Sequence, residues 1–307
     1  MNLFEKIKEI FLRNKNKRLI CDDLYAQRTM SIDDIGLIDS FERKLSDKMI
    51  ALIKSSDKNV YDYPLDTKIS EGQLSFIVRS FFENINSEFS YKINNILGGI
   101  DTKFVLNIGL NVKNNSLSNP NNGYPLELQV RTYGDLRDVY GLVHELTHCL
   151  DIDNKDTSTR IILGEVAPQC MERLLDIYLL ENCDNIGLDK EKLKRDIEKR
   201  KLTTFISRAK NAISFNNEKR RNLDGRTINQ EMDSRYVIAQ IYQTELMKND
   251  YGTSKKKLIN FINCVNNDNF NGANKALGIN IERENKLQRD NLISNTIKEN
   301  ETRPVGK

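Results

Sequence analysis

Apolar residues recur three and four positions apart along most of the chain, and they alternate in one short region. In the opening stretch MNLFEKIKEIFLRNKNKR, Leu3, Phe4, Ile7, Ile10 and Phe11 fall at helical spacing among lysines, which predicts a packed amphipathic helix. SIDDIGLIDSFERKLSDKMIALIKSS keeps the same period, with Ser31 or Asp33 placed to cap it. EGQLSFIVRSFFENINSEFSYKINNIL repeats it up to Gly98-Gly99, a stop signal. The texture then changes. KFVLNIGLNV (103–112) is β-branched and alternating and predicts a strand, as does LELQVRTY (126–133). The Asn-, Ser-, Pro- and Gly-rich run between them reads as a loop, so the pair is expected to form a long-looped hairpin. Helical spacing returns at about 136–151, 160–182, 189–214, 228–248 and 254–266, and the tail ENETRPVGK is expected to be disordered. Three regions follow: an N-terminal helical region (1–98), a central region (99–266), and a C-terminal helix with its tail (267–307).

Composition narrows the class. The chain has 307 residues, 38% hydrophobic and 30% charged, with 47 basic against 44 acidic side chains. That near balance gives no bulk argument for nucleic acid. The charged segment DKEKLKRDIEKRK mixes signs at i,i+4 spacing and reads as a solvated helix face. No run approaches the length of a membrane span, and no secretory h-region is legible. Five scattered cysteines, Cys21, Cys149, Cys170, Cys183 and Cys264, lack C-x-x-C spacing and fit small buried hydrophobes in a reducing compartment. A cytoplasmic location is therefore expected, although a non-classical export route would leave no such trace.

The chain's two histidines both lie in VYGLVHELTHCLD, as H-E-x-x-H. On a helix, His144 and His148 project from one face, one turn apart, so that two imidazole nitrogens can share a zinc ion. Glu145 borders the same space and suits a general base. Leu142, Val143, Leu146, Cys149 and Leu150 cover much of the remaining circumference and seat the helix in a core.

Two histidines leave zinc short of protein ligands, and a carboxylate is the expected third. RIILGEVAPQCMERLLDIYLLEN offers Glu165 and Glu172, seven residues apart. Glu165, beside the small Gly164, is favoured as ligand; Glu172 then accepts the second N–H of a ligand histidine. Pro168 either lies in the first turn of that helix or kinks it.

Three blocks resemble the oligoendopeptidase F / thimet oligopeptidase family of zinc peptidases. DLRDVYGLVHELTH is similar to its H-E-x-x-H block, GEVAPQCMERLL to its third-ligand block, and SRYVIAQIYQTEL to a downstream block, in the family's order and within about 125–248. The resemblance implies a mainly α, α+β zincin-like fold: a helical bundle with a small β-sheet beside the H-E-x-x-H helix. It implies one Zn2+ per chain on His144, His148 and Glu165, with Glu145 as base. By position, Tyr236 is the hydroxyl donor to the tetrahedral oxyanion. Four departures stand out. Asp151 takes the place of a further histidine, the loop DIDNKDTSTR is short, the neighbourhood upstream of Tyr236 reads INQEMDS where the family commonly has further tyrosines or a histidine, and the chain is about half the family's usual length.

The expected function is a zinc-dependent endopeptidase acting on a peptide or protein substrate, with PLELQVR binding the substrate backbone as an added strand. Competing readings are a specialised toxin or effector protease with one target protein, and a zinc-containing peptide-binding protein without activity. Nothing points to nucleic acid. The substrate and the oligomeric state are not legible.

Overall fold

The computed structural model describes residues 32–56, 63–112, 115–118, 125–150, 164–221, 228–267, 270–277 and 286–301. The amphipathic stretch 1–18, Cys21, Asp151, the loop 151–160 and residues 302–307 lie outside the described residues. The fold is mainly helical with one small sheet. Buried apolar side chains from Leu37 to Ile297 form one connected cluster.

Each long N-terminal stretch is broken by an internal cap. α1 (Ile32–Lys44) and α2 (Asp47–Ser55) part at Ser46, whose side chain accepts from the Met49 amide. α3 (Glu71–Ile85) and α4 (Ser87–Leu97) part at Asn86, which ends one helix and caps the next by accepting from the Glu88 and Phe89 amides. A side-chain oxygen placed to satisfy the open N–H groups of a new helix makes such a corner cheap.

The sheet corrects the expected hairpin. β1 (Phe104–Gly109) pairs parallel with β3 (Leu126–Arg131), while β2 (Ser116–Ser118) pairs antiparallel with β3, in the order β1-β3-β2. The Asn-rich run carries a short strand of its own, so the chain crosses β3 before turning back along it. β3 is thereby the centre strand. Its backbone groups face β1 and β2, which overturns its expected role as an added-strand partner for substrate; among the described residues the outer strands are β1 and β2.

α5 (Leu136–His148) carries the H-E-x-x-H residues and packs on β3 and on α6 (Val166–Ile186). Its start is over-determined. Asp135 caps it by accepting from the Arg137 amide and pairs with the Arg137 guanidinium at 2.8 Å. Asp138 turns back to accept from the Tyr133 and Gly134 amides at 2.7 and 2.8 Å, closing a corner in which Gly134 takes φ +72°. Residues 65–69 run alongside, with the Leu136 amide donating to Thr67 O and the Ile69 amide to Gly134 O.

α7 (Lys190–Arg221) reaches the same place: the buried Asp196 carboxylate accepts from the Asp66 and Thr67 amides. The charged segment read as a solvated face thus turns part of its charge inward. Leu193, Asp196, Ile197 and Arg200 share one helical face, on which the first three are buried and Arg200 is partly buried. α8 (Ile228–Leu246), α9 (Tyr251–Asn266), α10 (Phe270–Leu277) and α11 (Lys286–Glu301) complete the bundle. α11 absorbs Glu299–Glu301 from the expected disordered tail, because Asn300 is buried and Glu299 pairs with Arg173. Among the described residues no helix is long and apolar enough to cross a membrane.

Candidate metal centre

α5 ends at His148, sooner than its apolar period suggests. Cys149 and Leu150 continue it only as tight turns, their amides donating to Leu146 O and Thr147 O. His144 and His148 therefore sit on the last turn of a helix whose other faces are buried. Opposite them α6 begins at Val166, with Glu165 as its N-cap residue. Pro168 falls in the first turn, where its missing N–H costs no helical bond; the alternative of a kink beside the site is set aside. The Glu165 side chain makes no capping bond and is directed at the two histidines instead.

The donor atoms of His144, His148 and Glu165 converge. His144 Nε2 lies 3.3 Å from His148 Nε2 and 3.3 Å from Glu165 Oε2, and His148 Nε2 lies 3.8 Å from Glu165 Oε1. Ligands at about 2.0–2.1 Å from one tetrahedral zinc stand about 3.3–3.4 Å apart; the two nitrogens already meet that spacing, while the carboxylate offers a different oxygen to each histidine and must turn slightly to present one oxygen to a shared ion. Among the described residues, the three side chains keep 12–19% of their surface exposed.

Electrostatics favour a cation at the same point. Burial opposes a charged His144, yet hydrogen bonds and charge from Glu165 and Glu172 raise its pKa well above the usual histidine range. A pocket that draws a proton onto an imidazole this strongly is short of positive charge. A divalent ion supplies it without protonating a ligand.

Glu172 lies two turns along α6. Its Oε1 is 2.7 Å from His144 Nδ1 and its Oε2 accepts from Arg200 at 2.7 Å. Burial pushes its carboxyl up, but the His144 bond, Arg200 and Arg208 outweigh this and hold it at about 2. Glu145 is buried on the motif helix. Burial raises its pKa, His144 lowers it, and Glu165 and Glu172 add to the rise, leaving it at about 7. Tyr236 lies on α8, where its carbonyl accepts from Gln169 Nε2 at 3.3 Å, one turn beyond Glu165. Burial pushes the Cys170 thiol above its usual range, and among the described residues the donor atoms that converge are those of His144, His148 and Glu165.

Three residues of the surrounding network escaped sequence reasoning. Arg200 reaches Asp176 as well as Glu172, its guanidinium stacks 3.5 Å over the Tyr140 ring, and the Tyr140 hydroxyl donates to Asp176 at 2.5 Å. The available signal was the i,i+4 pair Glu172/Asp176 on one helix, matched by Arg200 on a buried face of another.

Neither a family model nor a curated protein matches the sequence. The structure is similar to the crystal structure of a "putative peptidase from Chlamydophila abortus", with a TM-score of 0.50 at 13% sequence identity. The match covers 92% of this chain and 58% of that one, so the chain spans little more than half the length of that protein. At this identity the likeness is one of fold.

Proposed function

We propose that the chain is a zinc-dependent endopeptidase of the H-E-x-x-H plus glutamate type. The observation that carries this reading is the convergence of two imidazole nitrogens and one carboxylate at 3.3–3.8 Å, with a second carboxylate, Glu145, one residue from the first histidine. The shared fold with a protein named as a peptidase supports the same reaction class. The three sequence blocks resembling oligoendopeptidase F supply the finer assignment.

His144, His148 and Glu165 would hold the ion, whose chemistry is that of a Lewis acid and of water acidified to near neutrality. Glu145 takes the proton from the attacking water and delivers it to the leaving amine nitrogen. Burial beside Glu165 and Glu172 raises this carboxyl above the usual range in the metal-free chain, the direction that favours a group able both to take and to return a proton. The Tyr236 hydroxyl is assigned to the oxyanion of the tetrahedral intermediate. Glu172 keeps the Nδ1 proton of His144 in place, so Nε2 faces the ion.

Turnover of a quenched peptide library by the purified chain, with and without chelator, tests the reading. Cleavage abolished by chelator and restored by zinc is expected. A zinc-loaded chain that leaves every peptide intact would contradict catalysis, and failure to bind zinc would contradict the site itself.

A further inference from the structure

We infer that Arg200 is a positioning residue for the metal centre: it fixes the Glu172 carboxylate so that His144 presents Nε2 to His148 and Glu165. The inference rests on the metal-site reading above and extends it to a third helix. A glutamate carboxylate turns about a broad terminal torsion and is oriented only when both oxygens are engaged. Here they are divided, Oε1 to His144 Nδ1 and Oε2 to Arg200 Nη1, each at 2.7 Å.

Arg200 is itself held on two sides. Its Nη2 lies 3.3 Å from Asp176 Oδ1 and its plane rests on Tyr140. Tyr140 stands one turn before His144 on α5, and Asp176 stands one turn after Glu172 on α6. The contacts therefore close a ring from α5 through α6 and α7 back to α5, with the guanidinium as the piece that meets all three. Only a planar fork with several fixed donors can touch two carboxylates and a ring face together; an ammonium cannot. Lys201 and Arg173, 3.4 and 3.7 Å from Asp176 Oδ2, supply further positive charge, so three cations pair with the Glu172 and Asp176 carboxylates. A buried ion cluster of this kind adds little stability over apolar packing, which leaves orientation of the donor histidine as its gain.

The test uses the full chain as Arg200→Met, Arg200→Lys, Glu172→Gln and the Arg200→Met/Glu172→Gln double variant. Zinc affinity is read by competition with a chromophoric chelator. Arg200→Met is expected to weaken zinc by about tenfold or more, Arg200→Lys by less, and the double variant no further than Glu172→Gln alone. The second readout needs no metal. With two histidines in the chain, the His144 Nδ1 proton can be followed by NMR in the metal-free protein. It is expected to be protected from exchange in the parent and exposed in both Arg200 variants.

Parent-like zinc affinity with an unchanged Nδ1 proton would overturn the inference, as would losses that multiply in the double variant. If the parent binds no zinc, the proposed function falls and the proton readout alone decides the role of Arg200. If Arg200→Met fails to fold, Arg200→Lys carries both readouts.

Discussion

Glu172 and His144 meet at 2.7 Å across the contact between α5 and α6, and this bond decides which ring nitrogen faces Glu165. An ionised carboxylate can only accept, so the proton between them belongs to Nδ1. When the ring gives up its second proton, the Nε2 lone pair is directed to the point shared with His148 Nε2 and the Glu165 carboxylate. One glutamate thus holds the ring while the other, seven residues earlier, is the proposed ligand.

That division of labour is separable by mutation. Glu165→Ala removes one of three donors and is expected to lose zinc on dialysis. Glu172→Ala removes only an orienting contact and is expected to keep stoichiometric zinc with affinity lowered about 10- to 100-fold. Metal analysis of the two dialysed proteins beside the parent checks this. Retention in Glu165→Ala with loss in Glu172→Ala would exchange the two roles.

Glu145→Gln tests the base. The amide fills the same buried volume and cannot take a proton, so zinc content and melting temperature are expected to stay near the parent values. Peptide turnover is expected to fall by about 10²- to 10⁴-fold, the range typical of general acid–base catalysis. Full turnover by the variant would remove Glu145 from the mechanism.

The site was more legible in the sequence than the frame around it. His144 and His148 fall at a spacing that helix geometry converts directly into proximity, Glu165 was reached through the need for a third carboxylate beside Gly164 and through the family resemblance, and the structure brings the three together. The break at Asn86 was hidden because its flanks share one apolar period, and a single polar residue carries the cap. The parallel pairing of β1 and β3 was hidden because the crossing strand β2 has three residues and an unremarkable Ser-Leu-Ser sequence. Arg200 and Asp196 were hidden for a different reason. Buried charges look like surface charges until their partners are known, and those partners lie far away in sequence, at Glu172, Asp66 and Thr67.

The cap of the motif helix sets an acid limit on stability. Burial works to raise the Asp135 pKa, but Arg137 and the amides of Arg137 and Leu65 outweigh it and hold the carboxyl below its ordinary 3.8. A carboxyl lowered in the folded state binds fewer protons there than in the unfolded chain. Its contribution is therefore fully present above about pH 4 and lost as pH falls through the folded value. Urea unfolding between pH 3 and 6 is expected to show this decline, and Asp135→Asn to lower stability at pH 6 while flattening the acid slope. Parallel pH profiles for the two proteins would rule out this source.

Gly141 makes the last case, since two opposing effects meet at one residue. Alanine is favoured over glycine inside a helix by about 1 kcal/mol, and Gly141 is mid-helix in α5. A Cβ there would lie 2.4 Å from Asn115 Nδ2, far inside contact distance. Asn115 is not slack, because its Oδ1 accepts from the Arg131 amide at 2.8 Å and so ties the start of β2 to the end of β3. Gly141→Ala must push that side chain aside and give up a bond worth about 1 kcal/mol. The two terms nearly cancel, so the melting temperature is expected to move by no more than a few degrees. The local signature is what discriminates: the Arg131 amide should lose about tenfold of its protection from hydrogen exchange, while amides within α5 keep theirs. An Arg131 amide as protected as in the parent would show that Asn115 yields without releasing its strand.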